Sequence, residues 1–184
     1  QNGVFNSCSN LANISLPVCE TVGNAAFEHC VSLTEIDLPA CTKLEANAFS
    51  QATALTTVNL PVCSMISGAA FAGCSDLQSI SMPMCEIIYG TAFYRCQNLP
   101  SIDLIKCSII GSSAFYSCYK LSALTLRLSS IVVLSNSNAF VWTPMQYSSY
   151  LGSFGSIYVP ASLVDAYKSA TNWVTYSSRI TAIP

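Results

Sequence analysis

Phenylalanine recurs every 22 residues, at Phe5, Phe27, Phe49, Phe71, Phe93 and Phe115, and a fixed spacing of this size restricts the chain to a repeat architecture. Leucine follows in step at Leu11, Leu33, Leu55, Leu77, Leu99 and Leu121. One aliphatic column runs Ile14, Ile36, Val58, Ile80, Ile102, Leu124, and a second runs Leu16, Leu38, Leu60, Met82, Leu104, Leu126. Pro17, Pro39, Pro61 and Pro83 close the pattern, so that the unit reads A-F-x-x-C-x-x-L-x-x-I-x-L-P-x-C-x-x-I followed by small or polar residues.

From Leu33 to Leu38 the apolar Ile36 and Leu38 alternate with Glu35 and Asp37, the period of a strand with one face in and one face out. Proline after the strand cannot donate to a ladder and ends it, and the Gly, Asn and Ser residues before each Ala-Phe supply a turn. One such coil cannot stand alone. Fixing its backbone costs about 1 to 2 kcal/mol per residue, whereas each inward apolar side chain returns only about 1.5 to 3 kcal/mol. Stacking closes the difference, because every coil covers the open face of its neighbour. Parallel strands about 4.8 Å apart place equivalent residues over one another, which predicts an aromatic spine of phenylalanines inside a right-handed, curved, β-rich solenoid with a parallel sheet on one face.

The pattern breaks after Phe115. The next member of the phenylalanine column is Phe140, and the strand motif returns at Ile157–Val159 after an insertion carrying Trp142, Pro144, Tyr147, Tyr150, Gly152 and Gly155. Pro160 to Lys168 reads as a short helix that Ser162 could cap, with Leu163, Ala166 and Tyr167 on one face. Trp173, Val174, Tyr176, Ile180 and Ile183 are then expected to cover the last coil, whose core and strand edge would otherwise be open. The expected organisation is a solenoid over 1–156 and a capping segment over 157–184. No matching cap precedes Phe5, so further sequence is expected upstream of Gln1.

The charges exclude several functions. Seven basic and nine acidic side chains give a net charge of -2 without any basic run, whereas nucleic-acid binding needs concentrated Lys and Arg. No stretch approaches the apolar length of a membrane-spanning helix, and no charged-then-apolar leader opens the chain.

The ten cysteines fall into two columns of the same period: Cys8, Cys30, Cys74, Cys96, Cys118 and Cys19, Cys41, Cys63, Cys85, Cys107. Ala52 fills the gap in the first and Ser129 follows the second, small residues that suit a packing slot. Stacked neighbours point the same way at about the strand spacing, a poor geometry for a relaxed bridge. Buried free thiols are the expected state, with disulfides the alternative. The long Cys–Cys spacing and a single histidine do not make a zinc site. A nucleophilic pair of His29 and Cys30 is disfavoured, since adjacent residues rarely converge and no motif places a group to orient the ring. The scattered carboxylates form no acid/base pair, and no phosphate loop or calcium repeat is present. We expect no catalytic residue, cofactor or metal.

Two outward surfaces are candidates for interaction. A polar ladder of short side chains runs Ser15, Asp37, Asn59, Ser81, Asp103, Thr125, beside Asn13, Glu35, Thr57, Ser79, Ser101, Ala123. A second column turns apolar along the chain through Thr21, Lys43, Met65, Ile87 and Ile109. Beside it are expected Tyr89, Tyr94, Tyr116 and Tyr119, with Tyr94 and Tyr116 one period apart and therefore stacked. An exposed apolar and aromatic stripe marks contact surfaces.

The unit from Ala26-Phe-Glu-His-Cys-Val-Ser-Leu33 to Pro39 resembles the BspA-like leucine-rich repeat family over nearly the whole chain. The segments Ile157–Lys168, Thr171–Trp173 and Arg179–Ile180 resemble the closing segment of such proteins from gut bacteria. The resemblance implies a secreted or cell-surface, non-enzymatic protein that binds a protein or glycan, such as host matrix or another cell, and is expected to be a monomer. It carries over no defined binding residues. A stalk that holds another domain away from the cell is the competing reading, and a thiol hydrolase a remote one. The full second cysteine column departs from the commoner Ser, Thr or Val there, which leaves disulfide use on an oxidising surface open. The sequon Asn13-Ile14-Ser15 would be idle in a bacterial source.

Overall fold

The computed structural model describes residues 2–147, 152 and 154–184. Its elements in chain order are β1 (Thr21–Val22), β2 (Glu35–Asp37), β3 (Lys43–Leu44), β4 (Thr57–Asn59), β5 (Met65–Ile66), β6 (Ser79–Ser81), β7 (Ile87–Ile88), β8 (Ser101–Leu104), β9 (Ile109–Ile110), β10 (Ala123–Leu126), β11 (Val133–Leu134), β12 (Ser156–Val159), α1 (Val164–Ser169) and β13 (Ile180–Ala182). The chain is a solenoid of stacked parallel sheets. In the regular part each strand pairs with the residue one repeat away, as in Glu35 with Thr57 and Thr57 with Ser79.

The expected strand carries the I-x-L columns, but each coil has a second, shorter strand at the end of the unit. The odd-numbered strands β1 to β11 form a continuous six-stranded sheet. A two-residue strand shows too little alternation to be read as one from sequence.

The other face splits into a three-stranded sheet β2-β4-β6 and a four-stranded sheet β8-β10-β12-β13. Its cause is Pro100. In that column Thr56 N–H donates to Thr34 C=O at 2.8 Å, Gln78 N–H to Thr56 C=O at 2.9 Å, and Ser122 N–H to Pro100 C=O at 2.9 Å. Proline has no N–H to give to Gln78, and the ladder is interrupted there. Beyond the break Ile105 and Arg127 stand where Pro39, Pro61 and Pro83 stand earlier. Arg127 N–H therefore bonds Leu104 C=O at 3.1 Å, and β8 and β10 reach four residues instead of three.

The phenylalanine spine forms as the period predicts. Successive rings from Phe5 to Phe115 lie 5.1 to 5.5 Å apart, with interplanar angles between 2° and 14°. Phe140 continues the stack at 5.5 Å despite the longer spacing. Around each ring the backbone alternates in hand. Ser7, His29, Gln51, Gly73, Arg95, Ser117 and Trp142, two residues past each phenylalanine, adopt positive φ; so do Gly3, Ala25, Asn47, Ala69, Thr91 and Ser113, two before it. This alternation points N–H groups along the solenoid axis: Phe27 N–H reaches Ala48 C=O at 2.8 Å and Phe49 N–H reaches Ala70 C=O at 2.7 Å.

The cap replaces the missing next coil with side chains. Trp173 Nε1–H donates to Val132 C=O at 2.7 Å, Tyr167 Oη accepts from Val132 N–H at 2.9 Å, and Asn172 Nδ2 donates to Leu134 C=O at 2.6 Å. Tyr176 Oη donates to Ser137 C=O and accepts from Phe140 N–H. Tyr176 also meets Phe140 edge-on, 5.4 Å away. Two expectations are corrected here. Ser162 lies inside a 3-10 turn, Ala161–Leu163, and no side chain caps that turn or α1. Val174 is 57% exposed and faces away from the last coil, because the 3-10 segment Trp173–Arg179 buries only Trp173 and Tyr176.

Removing a ring from the middle of the spine opens a cavity with neighbours on both sides, while Phe5 is only partly covered. Phe71→Ala should therefore cost about 3 to 5 kcal/mol, and Phe5→Ala clearly less. Thermal unfolding followed by circular dichroism will show the larger drop for Phe71→Ala.

Candidate interaction surfaces

Because stacking consumes the inward side chains, only the flanks are free to carry function. On the polar strand face Asn13, Ser15, Glu35, Asp37, Thr57 and Asn59 line a depression of about 440 Å³. Asn59 Nδ2 donates to Asp37 Oδ1 at 2.8 Å, one coil apart. The expected ladder does not continue as one surface. Ser81 ends the three-stranded sheet, and Asp103 begins the next across the Pro100 break. Asp103 is taken by a fork of hydrogen bonds from Arg127 at 2.8 to 3.0 Å, leaving little for a ligand.

The apolar column is also corrected. Met65, Ile87 and Ile109 do pair in register on the six-stranded sheet, but each is half buried. Tyr89 is exposed, and so is Val133, which continues the column past the half-buried Ile109. The other tyrosines lie elsewhere. Tyr94, Tyr116 and Tyr119 sit on the turns that follow the phenylalanines and line, with Arg95, Ser117 and Trp142, their own depression of about 370 Å³. Met65, Ile87 and Ile109 do not border it.

This second depression is an aromatic ledge. Tyr94 and Tyr116 stack at 5.5 Å and 20°, as one-period spacing requires. The Arg95 guanidinium lies 5.3 Å from the centre of the Tyr94 ring. Trp142 Nε1–H donates to Tyr116 Oη at 2.8 Å, and Trp142 stacks on Tyr147 at 5.0 Å. Trp142 and Arg95 were not singled out as site residues from sequence. Their signal was positional, since both fall in the column of Ser7, His29 and Gln51, two residues past a phenylalanine. Tyr150, in the same inserted loop, lies outside the described residues.

A repeat-family model for the BspA type leucine rich repeat region matches residues 1–84 and 42–161 with six copies. The chain belongs to this family. No curated protein matches it. Two solved structures are similar: a leucine-rich repeat protein from Bacteroides ovatus ATCC 8483, at 28% identity and a TM-score of 0.51 over 58% of this chain; and a leucine rich cell surface protein from Faecalibacterium prausnitzii A2-165, at 18% identity and a TM-score of 0.56 over 80% of it. The second likeness concerns the fold alone. The chain covers 34% and 46% of those two chains.

In this BspA-type chain the cysteine columns are core. Cys30, Cys74, Cys96 and Cys118 each donate a thiol to a phenylalanine carbonyl of the preceding spine position at 3.1 Å. Cys41, Cys63 and Cys107 turn theirs to the carbonyl two residues ahead at 3.3 to 3.4 Å. Eight of the ten are buried; Cys8 is exposed and Cys19 half buried, because the first coil has a neighbour on one side only among the described residues. Burial pushes Cys74, Cys96 and Cys118 up, and moves Cys85 and Cys107 to about 12. Cys41 and Cys63, one coil apart, are both fully buried, and each spends its one thiol proton on a backbone carbonyl. His29 is exposed while its neighbour Cys30 is buried, so the two do not form a pair.

Thiols raised in the folded state keep their protons when the unfolded chain, near pH 9, has begun to lose them. Their stabilising contribution is complete below about pH 9 and lost as pH rises toward about 12. Tyr176, raised to about 12 by burial, acts in the same direction. Denaturation midpoints should fall steeply between pH 9 and 11, and a Cys85→Ala, Cys107→Ala double variant should flatten that fall. Titration with a thiol reagent at pH 8 should label Cys8 first and Cys19 more slowly, with the remaining eight reacting only on unfolding.

Proposed function

We propose that this chain is a non-catalytic binding module of a cell-surface or secreted protein, contacting a partner on a host surface or another cell through the flank of its solenoid. The observation that carries this reading is the aromatic ledge. Tyr94, Arg95, Tyr116 and Trp142 are held in one place by a stack, a cation–π contact and a hydrogen bond, on turns fixed by the spine. Aromatic and arginine side chains ordered before contact are what productive interfaces use, because little entropy is then lost on binding. A surface location is supported by the similar fold of a protein described as a cell surface protein. A non-catalytic role is supported by the burial of most thiols and by the separation of His29 from Cys30.

The spacer reading rests on a different observation, the regular end-to-end stacking, which by itself makes a rod. The two separate cleanly by experiment. Ser50 and Ala72 occupy the column of Tyr116, so Tyr116→Ser suits the scaffold. Combined with Trp142→Ser it should reduce adhesion of protein-coated beads to cells or matrix about tenfold or more while leaving the circular dichroism unchanged. Undiminished adhesion would favour the spacer.

A further inference from the structure

We infer that the ledge recognises a carboxylate-bearing segment of a protein partner, a reading that rests on the binding role proposed above. What the ledge still offers decides this. Tyr94 stacks on Tyr116 and carries Arg95 over its ring, and Trp142 stacks on Tyr147, so each of these four rings has a face engaged within the protein. Their ring edges, the hydroxyls of Tyr94 and Tyr116 and the Arg95 guanidinium are what the ledge offers a polar ligand.

Those remaining groups share one polarity. Aromatic edges are the positive part of the ring quadrupole. Tyr116 Oη already accepts the Trp142 N–H, so its own proton is directed elsewhere, and no acceptor for it is found among the described residues. Arg95 is exposed and makes no ion pair among the described residues. Lys120, exposed and next to Tyr119, makes none there either. No carboxylate lines the depression, although acidic residues outnumber basic ones nine to seven in the chain. A Glu or Asp side chain would meet the Arg95 fork and the Tyr94 and Tyr116 hydroxyls, with its apolar neighbours against the ring edges. A polysulfated glycan fits less well, since it gains its affinity from a row of cations that a chain of net charge -2 does not assemble.

Calorimetric titration tests this with four probes: a synthetic peptide repeating Glu-Leu-Gly, its Gln-Leu-Gly counterpart, an uncharged chitooligosaccharide and a heparin oligosaccharide. Gln51 holds the position of Arg95 two coils earlier, with the same positive φ, so Arg95→Gln is compatible with the fold. The Glu peptide should bind and the Gln peptide should not. Arg95→Gln should weaken binding about tenfold, the loss of a charge-assisted hydrogen bond, and Tyr94→Phe should weaken it less. Equal binding of both peptides, or binding that Arg95→Gln leaves unchanged, overturns the inference. Binding of either saccharide at the ledge in place of the Glu peptide also overturns it, while leaving the adhesive role standing. Failure of all four probes together with undiminished adhesion of the Tyr116→Ser, Trp142→Ser protein removes both readings.

Discussion

Axial stacking between equivalent residues is the interaction on which every other feature depends. No coil has an interior of its own: Phe71 is buried only because Phe49 and Phe93 lie on either side of it, 5.5 and 5.3 Å away. Hydrogen bonding obeys the same geometry. Both strand faces and the phenylalanine turns send their N–H groups to the neighbouring coil, so one displacement along the axis satisfies packing and polar groups together. A sequence that holds its period over six coils without drift reflects that coupling, since a single insertion inside a coil would shift both at once. The irregular region obeys this too: the extra residues between Phe115 and Phe140, and between β10 and β12, fall outside the columns that stack, and the spine passes them unbroken.

The stack is favourable enough to hold backbone that would be costly alone. Non-glycine residues at positive φ, Thr91 and Trp142 among them, cost about 1 kcal/mol or more each. They recur at two positions per coil because the alternation of hand around each phenylalanine turns its N–H along the axis, and the resulting bonds of 2.7 to 2.9 Å offset the strain. The cap solves the same problem by other means. Where no further coil supplies backbone, Tyr167, Asn172, Trp173 and Tyr176 bring side-chain donors and acceptors to the last one. A solenoid end is therefore as much a hydrogen-bonding problem as a hydrophobic one.

Most of this architecture was legible because columns are visible in a repeat. The spine, the I-x-L strand, the packing of the cysteines and the Tyr94–Tyr116 stack all follow from the spacing. What was not legible depended on single residues acting through the backbone. Pro100 breaks a sheet by lacking one hydrogen, an effect that needs the column of Thr34 and Thr56 to be known as a ladder. The second strand is too short to alternate. Met65, Ile87, Ile109 and the tyrosines do not form one stripe, since Tyr94 and Tyr116 sit on the turns beside the phenylalanines, and Cys8 is exposed where its coil has a neighbour on one side only among the described residues. The Trp142–Tyr116 bond spans the irregular repeat, where counting by period fails.

The division between inward and outward columns also explains why recognition would arise at the fifth and sixth coils. Inward positions are fixed by their neighbours above and below, whereas the column of Tyr94 holds Glu28, Ser50 and Ala72 without disturbing the spine. An outward position is free to change one coil at a time, and a side chain placed there inherits an ordered backbone. Two adjacent substitutions to tyrosine then create a stacked pair, because the scaffold already sets their separation. Arg95, on a turn whose φ is fixed by the same alternation, adds its charge beside them. Under the proposed binding role, specificity would reside in a few neighbouring members of outward columns, and the uniformity of the inward ones is what would let those few be preorganised.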